Sequence, residues 1–424
     1  MKVRILHVNK FLYRRGGAEA YMEAVARLQV AAGHEVAYFG MEHPENPEQR
    51  YAASLAPRVE FNPLSRSPLA RLGHAGRMLY SFSARRGMEC VLDDFRPDVV
   101  HCHNIYHHLS PSILRPLARR GTPTVMTLHD FKLACPVYSF YRDGHACDEC
   151  VTGGLRRAVV HRCHCGSLIS SAFAAFELSL HRATNAYDPI ALFICPSRFC
   201  AEKIAQADVF PERLRTLPHF IHVASIAPKQ VPGGPALYMG RLHPVKGVDV
   251  LIEAMAATDS AVKLEIAGDG PERTRLQARA EQHAPGRVHF LGRLGRDELI
   301  ERIRAASVVV LPTVGYENQP MCVLEAFGCG VPVVATGHGG TPELIENEVD
   351  GVLVEPGDPR ALALALERLV GDPAGAMRMG RAARRKVEVH FTPQAHLTGL
   401  EALYREAAAV TPSGRSRRPE PAPG

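Results

Sequence analysis

Residues 3–39 read VRILHVNKFLYRRGGAEAYMEAVARLQVAAGHEVAYF. Val3 to Val8 has the length and content of a buried strand, Gly16-Gly17 makes a turn, and Ala18 to Ala32 carries helix formers at helical spacing. Gly33 stops that run ahead of a second strand, Glu35 to Phe39. Strand, helix and strand in this order predict two parallel strands joined by a crossover helix. The same grammar recurs at Asp98 to His101, Ser112 to Arg120 and Thr124 to Leu128, so the first half is expected to be α/β.

Beyond Ile221 the stretch 222–235, with Pro228, Pro232, Gly233, Gly234 and Pro235, has linker composition. A second α/β unit follows, with strands expected at Ala236 to Met239, Lys263 to Ala267, Val288 to Leu291, Val308 to Leu311, Val331 to Ala335 and Gly351 to Val354. The expected division is a first domain at 1–221, a linker at 222–235, and a second domain at 236–392. A helix at 393–410 could pack back on the first domain, and 411–424 lacks the apolar periodicity needed to order it. Two open parallel sheets facing one another put two strand-end ligand sites across one cleft, which suits a reaction between two substrates.

The chain has 424 residues, 46% hydrophobic and 22% charged, enough for two cores. A net charge of +6, with cations spread among acids, argues against nucleic acid as a partner. The acid-free segment from Arg66 to Arg86, with Arg71, Arg77 and Arg85 beside Leu69, Leu72, Met78, Leu79 and Phe82, is a candidate for peripheral contact with an anionic membrane. A helix packed on its own domain is the plainer reading of it. No apolar run is long enough to span a bilayer and the N-terminus has no signal-peptide core, so a soluble cytoplasmic location is expected, with peripheral attachment at the inner face as the variant.

The chemistry concentrates in Tyr316-Glu317-Asn318-Gln319-Pro320-Met321-Cys322-Val323-Leu324-Glu325, just past an apolar strand. Pro320 suits the first turn of a helix starting near Gln319, whose free N–H groups would face a diphosphate. Glu317 in the preceding loop can accept hydrogen bonds from sugar hydroxyls, while Glu325 is placed to reach a ribose diol. Gly240-Arg241-Leu242-His243-Pro244-Val245-Lys246-Gly247 follows the first strand of the same domain. Its guanidinium and ammonium can together neutralise a diphosphate and the charge building on it as it leaves. In the first domain, Thr127-Leu128-His129-Asp130 ends a strand and faces the cleft, with Asp130 a candidate to orient His129. No G-x-G-x-x-G follows the first strand, which weakens a dehydrogenase reading, and no paired-carboxylate arrangement of a glycosidase is recognisable.

Gly16-Gly17-Ala18-Glu19, Arg241 with Lys246-Gly247, Glu317 with Glu325, and Gly330 to Gly340 together resemble glycosyltransferase family 4 over nearly the whole chain to about Tyr404. The resemblance implies a GT-B fold, two Rossmann-like domains across a cleft, and sugar transfer with retention of configuration and no cofactor required for catalysis. It implies that Arg241 and Lys246 hold the diphosphate of a nucleotide-diphosphate sugar, that Glu317 orients its sugar and that Glu325 binds its ribose. Backbone N–H groups around Gln319, Met321 and Cys322, beside Asn318 and Pro320, would hold phosphate or sugar oxygens, and Gly16 and Gly17 would let the first domain approach closely. The family places a functional histidine where His129 stands. The acceptor would be a glycan or lipid-linked molecule in cell-surface polysaccharide assembly. The turn Leu217-Pro218-His219-Phe220 departs from the Pro-Asn-Gly common in the family and is assigned no role. An epimerase or phosphorylase of the same fold, and a silent nucleotide-sugar-binding scaffold, are the competing readings.

An insertion at about 131–166 holds Cys135, Cys147, Cys150, Cys163 and Cys165. A C-x2-C pair followed by C-x-C offers enough thiolates for a structural zinc, with Cys135, Cys147, Cys150 and Cys163 as the ligand set; reduced, partly buried thiols are the alternative.

Overall fold

The protein is described here by a computed structural model covering residues 2–59 and 68–411. The tail from residue 412 and Arg66 of the basic segment lie outside the described residues. The strands in chain order are β1 (Arg4–Val8), β2 (Glu35–Phe39), β3 (Val99–Cys102), β4 (Thr124–Thr127), β5 (Tyr141–Arg142), β6 (His145–Ala146), β7 (Leu192–Cys195) and β8 (Leu214–Thr216). They continue with β9 (Ala236–Met239), β10 (Leu264–Ala267), β11 (Val288–Gly292), β12 (Val308–Leu311), β13 (Val333–Thr336) and β14 (Gly351–Val354).

Two six-stranded sheets form, ordered β2-β1-β3-β4-β7-β8 and β11-β10-β9-β12-β13-β14, and every pairing in them is parallel. This is the α/β, GT-B-like arrangement of two Rossmann-like units. In each sheet the strand order reverses beside the first strand, between β1 and β3 and between β9 and β12, and such switch points open crevices at the carboxyl ends of the strands. The loops after β9 and β12 are the two that carry Lys246 and Glu317.

Strands buried on both faces explain the apolar runs. Leu237, Met239, Val309, Leu311, Val333 and Ala335 pack on one face of the second sheet with the helix Met321–Gly328. Ala236, Tyr238, Val308, Val310 and Val334 pack on the other with the helix Val248–Ala257. In the first sheet Ile5, Val99, Val125 and Ile194 meet Tyr21 and Val25 of the helix Gly17–Ala31 and Leu400, Tyr404 and Ala407 of the helix Pro393–Val410. The C-terminal helix therefore lies on the first sheet, and each of its fully buried side chains contributes roughly 1.5–3 kcal/mol.

Several boundaries differ from the sequence reading for local reasons. The strand expected from Val331 starts at Val333, because the Val331 N–H donates to Ala326 O and closes the preceding helix. The strand expected from Asp98 starts at Val99, because the Asp98 carboxylate accepts the Arg4 N–H at the sheet margin. Residues 112–120 divide into a 3₁₀ turn, Pro111–Ile113, and a helix, Leu114–Arg120. The four-residue β7 and three-residue β8 are strands of the first sheet beyond those expected from the sequence. The basic segment is two helices, Pro68–Leu79 and Phe82–Phe95, broken where Ser81 caps the second by accepting the Ala84 N–H. Arg85 in it is held by Glu89 and the Tyr80 hydroxyl, Ala84 and Met88 are buried, and Phe82 stands 75% exposed. Among the described residues no helix is long and apolar enough to cross a membrane.

Candidate active site

After β9 the chain runs through Gly240 to Gly247, and after β12 through Pro312 to Pro320. Gly247 adopts φ 64°, and a Cβ there would sit 2.0 Å from Pro312 O, so only glycine lets the two loops lie against each other. The Val314 and Gly315 N–H groups both donate to Val245 O, fastening the contact. It delivers Lys246 to Glu317, with Nζ 2.5 Å from Oε1. Thr313 Oγ1 donates to the same carboxylate oxygen at 3.1 Å, and Thr313 is itself held through its carbonyl by Thr336 Oγ1. Burial works against the Lys246 charge, but the Glu317 carboxylate outweighs it and holds the ammonium above its ordinary range. Arg241 is exposed on the same loop, near enough to Lys246 to affect its charge, and has no ion pair among the described residues.

Gly340 N donates to Glu317 O, and a Cβ on Gly340 would lie 1.8 Å from Asn318 O, so the Gly339-Gly340 turn cradles the backbone of the Glu317 loop. The helix it leads into begins at Met321, one residue later than a first-turn proline requires. Pro320 is the N-cap with ψ 113°, extended rather than helical, so the expected start near Gln319 is corrected. Met321 and Cys322 supply the first free N–H groups of the helix, while Gln319 Oε1 accepts the His219 N–H at 2.5 Å. Asn318 Nδ2 reaches Leu128 O at 3.4 Å, and its Oδ1 is buried without a partner among the described residues. Glu325 is half-buried, and its carboxylate has no hydrogen bond or ion pair among the described residues. Burial pushes its carboxyl up, partly offset by Arg296 and Arg14.

Arg14 comes from the first domain, as do Gly16 and Gly17 at the start of the helix Gly17–Ala31, both exposed and with nothing within 4 Å of a Cβ built on Gly17. Across the cleft stands His129, two residues past β4 and beside the Leu128 carbonyl that meets Asn318. Burial and then Lys10 press its imidazole down to about 3, so the ring is neutral. Asp130 does not orient it: the Asp130 carboxylate caps the Lys132 N–H at 2.9 Å. The ring is instead held by His103, whose Nδ1 is 3.1 Å from His129 Nε2. His103 was invisible in the sequence because it lies beyond β3, and only parallel pairing of β3 with β4 aligns the two.

The turn given no role, Leu217 to Phe220, also takes part. His219 stacks on His129 at 5.8 Å and lies tilted against Tyr21 at 4.3 Å, and Pro218 O accepts from His396 of the C-terminal helix. A proximity group of His7, His101 and His103 has the spacing of a metal site. Their ring nitrogens are all engaged in hydrogen bonds, which leaves no free lone pair for an ion.

In the insertion, Cys135 is buried and its sulfur accepts backbone N–H groups of Val137, Ser139 and Phe140. Cys135, Cys147 and Cys163 are all within electrostatic reach of Cys150. Among the described residues no three of these sulfurs gather within 4.8 Å of one another.

A model for Glycosyltransferase Family 4 matches residues 15–225, and one for Glycosyl transferases group 1 matches residues 232–386. Glycogen synthase of Mycobacterium tuberculosis is 36% identical over 180 residues, 41% of this chain and 43% of that protein. D-inositol 3-phosphate glycosyltransferase of Acidothermus cellulolyticus is 25% identical over 432 residues, 95% of this chain and 88% of that one. For relatives such as the first, the match spans less than half their length. Among solved structures, sucrose-phosphate synthase from Thermosynechococcus elongatus superposes with a TM-score of 0.72 at 21% identity, covering 96% of this chain and all of that one. Anabaena HepE in complex with UDP-glucose gives 0.64 at 18% identity, covering 94% and 98%. At such identities the likeness is one of fold.

Proposed function

The chain belongs to the glycosyltransferases of family 4, its two halves matching the two models, and from that premise we propose that it moves a sugar from a nucleotide diphosphate donor to a glycan or lipid-linked acceptor, with retention of configuration, in cell-surface polysaccharide assembly. The observation that carries this is the Lys246–Glu317 pair at the switch point of the second sheet. An ammonium there, with the exposed Arg241 guanidinium beside it, meets a diphosphate and stabilises the charge that grows as the glycosidic bond breaks. Glu317 accepts from hydroxyls of the donor sugar, Asn318 Oδ1 offers a second acceptor, and Glu325 accepts from the ribose. The N–H groups of Met321 and Cys322 meet phosphate oxygens at the positive end of the helix. Gly16 and Gly17 admit the donor to the first domain, His129 stands against its sugar, and Asp130 keeps the neighbouring loop in place. No metal has a part in these steps.

A panel of nucleotide sugars tests the proposal. One donor should raise the melting temperature as its concentration exceeds its dissociation constant and be slowly hydrolysed without acceptor. Binding with no turnover of any donor would favour the silent scaffold.

A structural zinc at Cys135, Cys147, Cys150 and Cys163 belongs to the same proposal. Burial pushes the Cys135 thiol up, three backbone N–H groups aimed at its sulfur partly offset this, and a tetrahedral set at about 2.3 Å from an ion would draw the sulfurs closer and hold them as thiolates. Metal analysis of purified protein should give one zinc per chain, and a content well below that would exclude it. Peripheral contact with an anionic membrane, through Phe82, Arg77 and Arg86, is the remaining part.

A further inference from the structure

The interior under the C-terminal helix is polar, and its polar atoms form one path. His7 on β1, His101 on β3 and Thr127 on β4 project from the same face of the first sheet as their apolar neighbours Ile5, Val99 and Val125. His7, His101 and His103 are fully buried, and Gln29, Tyr21, Tyr404 and His396 cover them from the two helices above.

The direction of each hydrogen bond follows from two groups whose roles are fixed, the Pro218 carbonyl and the Gln29 amide. Pro218 O can only accept, so His396 Nδ1, 2.7 Å away, carries the proton. His396 Nε2 is then a lone pair, and the Tyr21 hydroxyl at 3.0 Å donates to it. Tyr21 in turn lies beside Thr127, whose hydroxyl acts on it. Gln29 fixes the rest: the Tyr404 hydroxyl accepts from its Nε2 and so donates to His101 Nδ1 at 2.8 Å, which leaves His101 Nε2 to donate to Thr127 Oγ1 at 2.7 Å. Gln29 Nε2 donates to Tyr404 at 2.9 Å, turning its carbonyl oxygen to His7 Nε2 at 2.7 Å. His7 Nδ1 therefore accepts from His103 Nε2 at 3.0 Å, and His103 Nδ1 accepts from His129 Nε2 at 3.1 Å. Every ring has one donor and one acceptor, as a neutral imidazole must. Burial supports this, holding His7 and His396 at about 4 and His101 and His103 well below the ordinary value.

We infer that this one-directional chain, anchored on the Gln29 amide, locks His129 as the Nε2–H tautomer, so that its Nδ1 lone pair serves the cleft as a hydrogen-bond acceptor. The ring is half-buried and its Nδ1 has no partner among the described residues. Resting on the transferase reading, this means that His129 reads a hydroxyl of the donor sugar as a donor of hydrogen, and does not supply a proton itself. His103 and His7 are positioning residues, since they act only through His129. The chain also makes the C-terminal helix part of the site, because it crosses from that helix to the cleft.

Long-range ¹H–¹⁵N spectra of the full chain labelled at histidine test this without any donor, so the result stands apart from whether a nucleotide sugar is turned over. With His129 assigned by a His129→Gln variant, its Nε2 should carry the proton and its Nδ1 none. The signals should not titrate between about pH 5 and pH 8, where an ordinary imidazole would, although Lys10, Tyr21, His103 and His219 face the ring. The variant His103→Leu, which deletes the acceptor, should lose the single tautomer and show an averaged pair of nitrogens. An Nδ1–H form or a charged ring in the unsubstituted protein would overturn the inference, as would an unchanged tautomer in His103→Leu. Should His103→Leu not fold, the spectrum of the unsubstituted protein decides alone.

Discussion

Lys246→Ala is expected to lower turnover by on the order of 10²–10³, about 2.7–4 kcal/mol of transition-state stabilisation. Two effects add. The substitution removes the cation nearest the leaving diphosphate, and it frees Glu317, whose Oε1 is tied at 2.5 Å to Nζ and at 3.1 Å to Thr313. With the Lys246 side chain 28% exposed and that of Glu317 17% exposed, the pair is poorly screened and its loss is felt more than that of a surface pair. Most of the effect should fall on kcat, because charge on the diphosphate grows only as the bond breaks. Lys246→Arg should rescue little, since the guanidinium fork is wider than the ammonium and Gly247 leaves the loop no slack against Pro312. Steady-state kinetics with the donor selected by the panel measures this, and turnover within about threefold of the unsubstituted protein would move the site elsewhere.

Lys132→Met should cost about 3–5 kcal/mol of stability, read as a shift in urea midpoint. Lys132 and Glu177 are each 1% exposed and meet at 2.7 Å, with Lys132 Nζ also donating to Pro136 O. Burial drives the Glu177 carboxyl upward, but the nearby His107 ring and the Lys132 ammonium bring it down to about 2. His107, with Nδ1 3.3 Å from the other Glu177 oxygen, is itself held below its ordinary range by burial, so near neutrality Lys132 supplies the charge. A methionine of similar length fills the space and leaves a carboxylate buried without its cation. The sign of the pH dependence follows: the folded carboxyl titrates at about 2 against an ordinary 4.5, so the pair's stabilisation is present above about pH 4.5 and is lost as pH falls toward 2. In Lys132→Met burial is no longer opposed by the ammonium and pushes the carboxyl upward, so this acid loss should shrink or reverse, the variant regaining stability as Glu177 is protonated. A midpoint unchanged from the unsubstituted protein would show that Glu177 finds another partner. Because Lys132 Nζ holds the Cys135-Pro136 turn, the variant should also loosen the cysteine insertion.

Much of the fold is written locally. Apolar runs such as Val308–Leu311 and Ala236–Met239 are buried on both faces, and a strand with two buried faces needs no partner to be recognised. Lys246 and Glu317 are likewise legible, because each sits in a loop directly after such a strand and the two strands are neighbours at the switch point. Pro320 was misplaced by one residue since its fixed φ suits an N-cap as well as a first turn, and only ψ separates them.

What the sequence determined by itself was the strand and helix order, the two-domain plan and the places of Arg241, Lys246 and Glu317 in loops after strands and of Glu325 in the helix that follows. These depend on contacts near in sequence or on backbone propensity, which a run of residues encodes directly. Only the tertiary structure decided that Asp130 turns away from His129, that the Leu217–Phe220 turn joins a hydrogen-bonded path, and that His7, Gln29, His101, His103, His396 and Tyr404 belong to it. Those bonds join residues as far as 375 positions apart. Which nitrogen meets which oxygen is set by parallel pairing and helix docking together, and no local pattern in the chain records it.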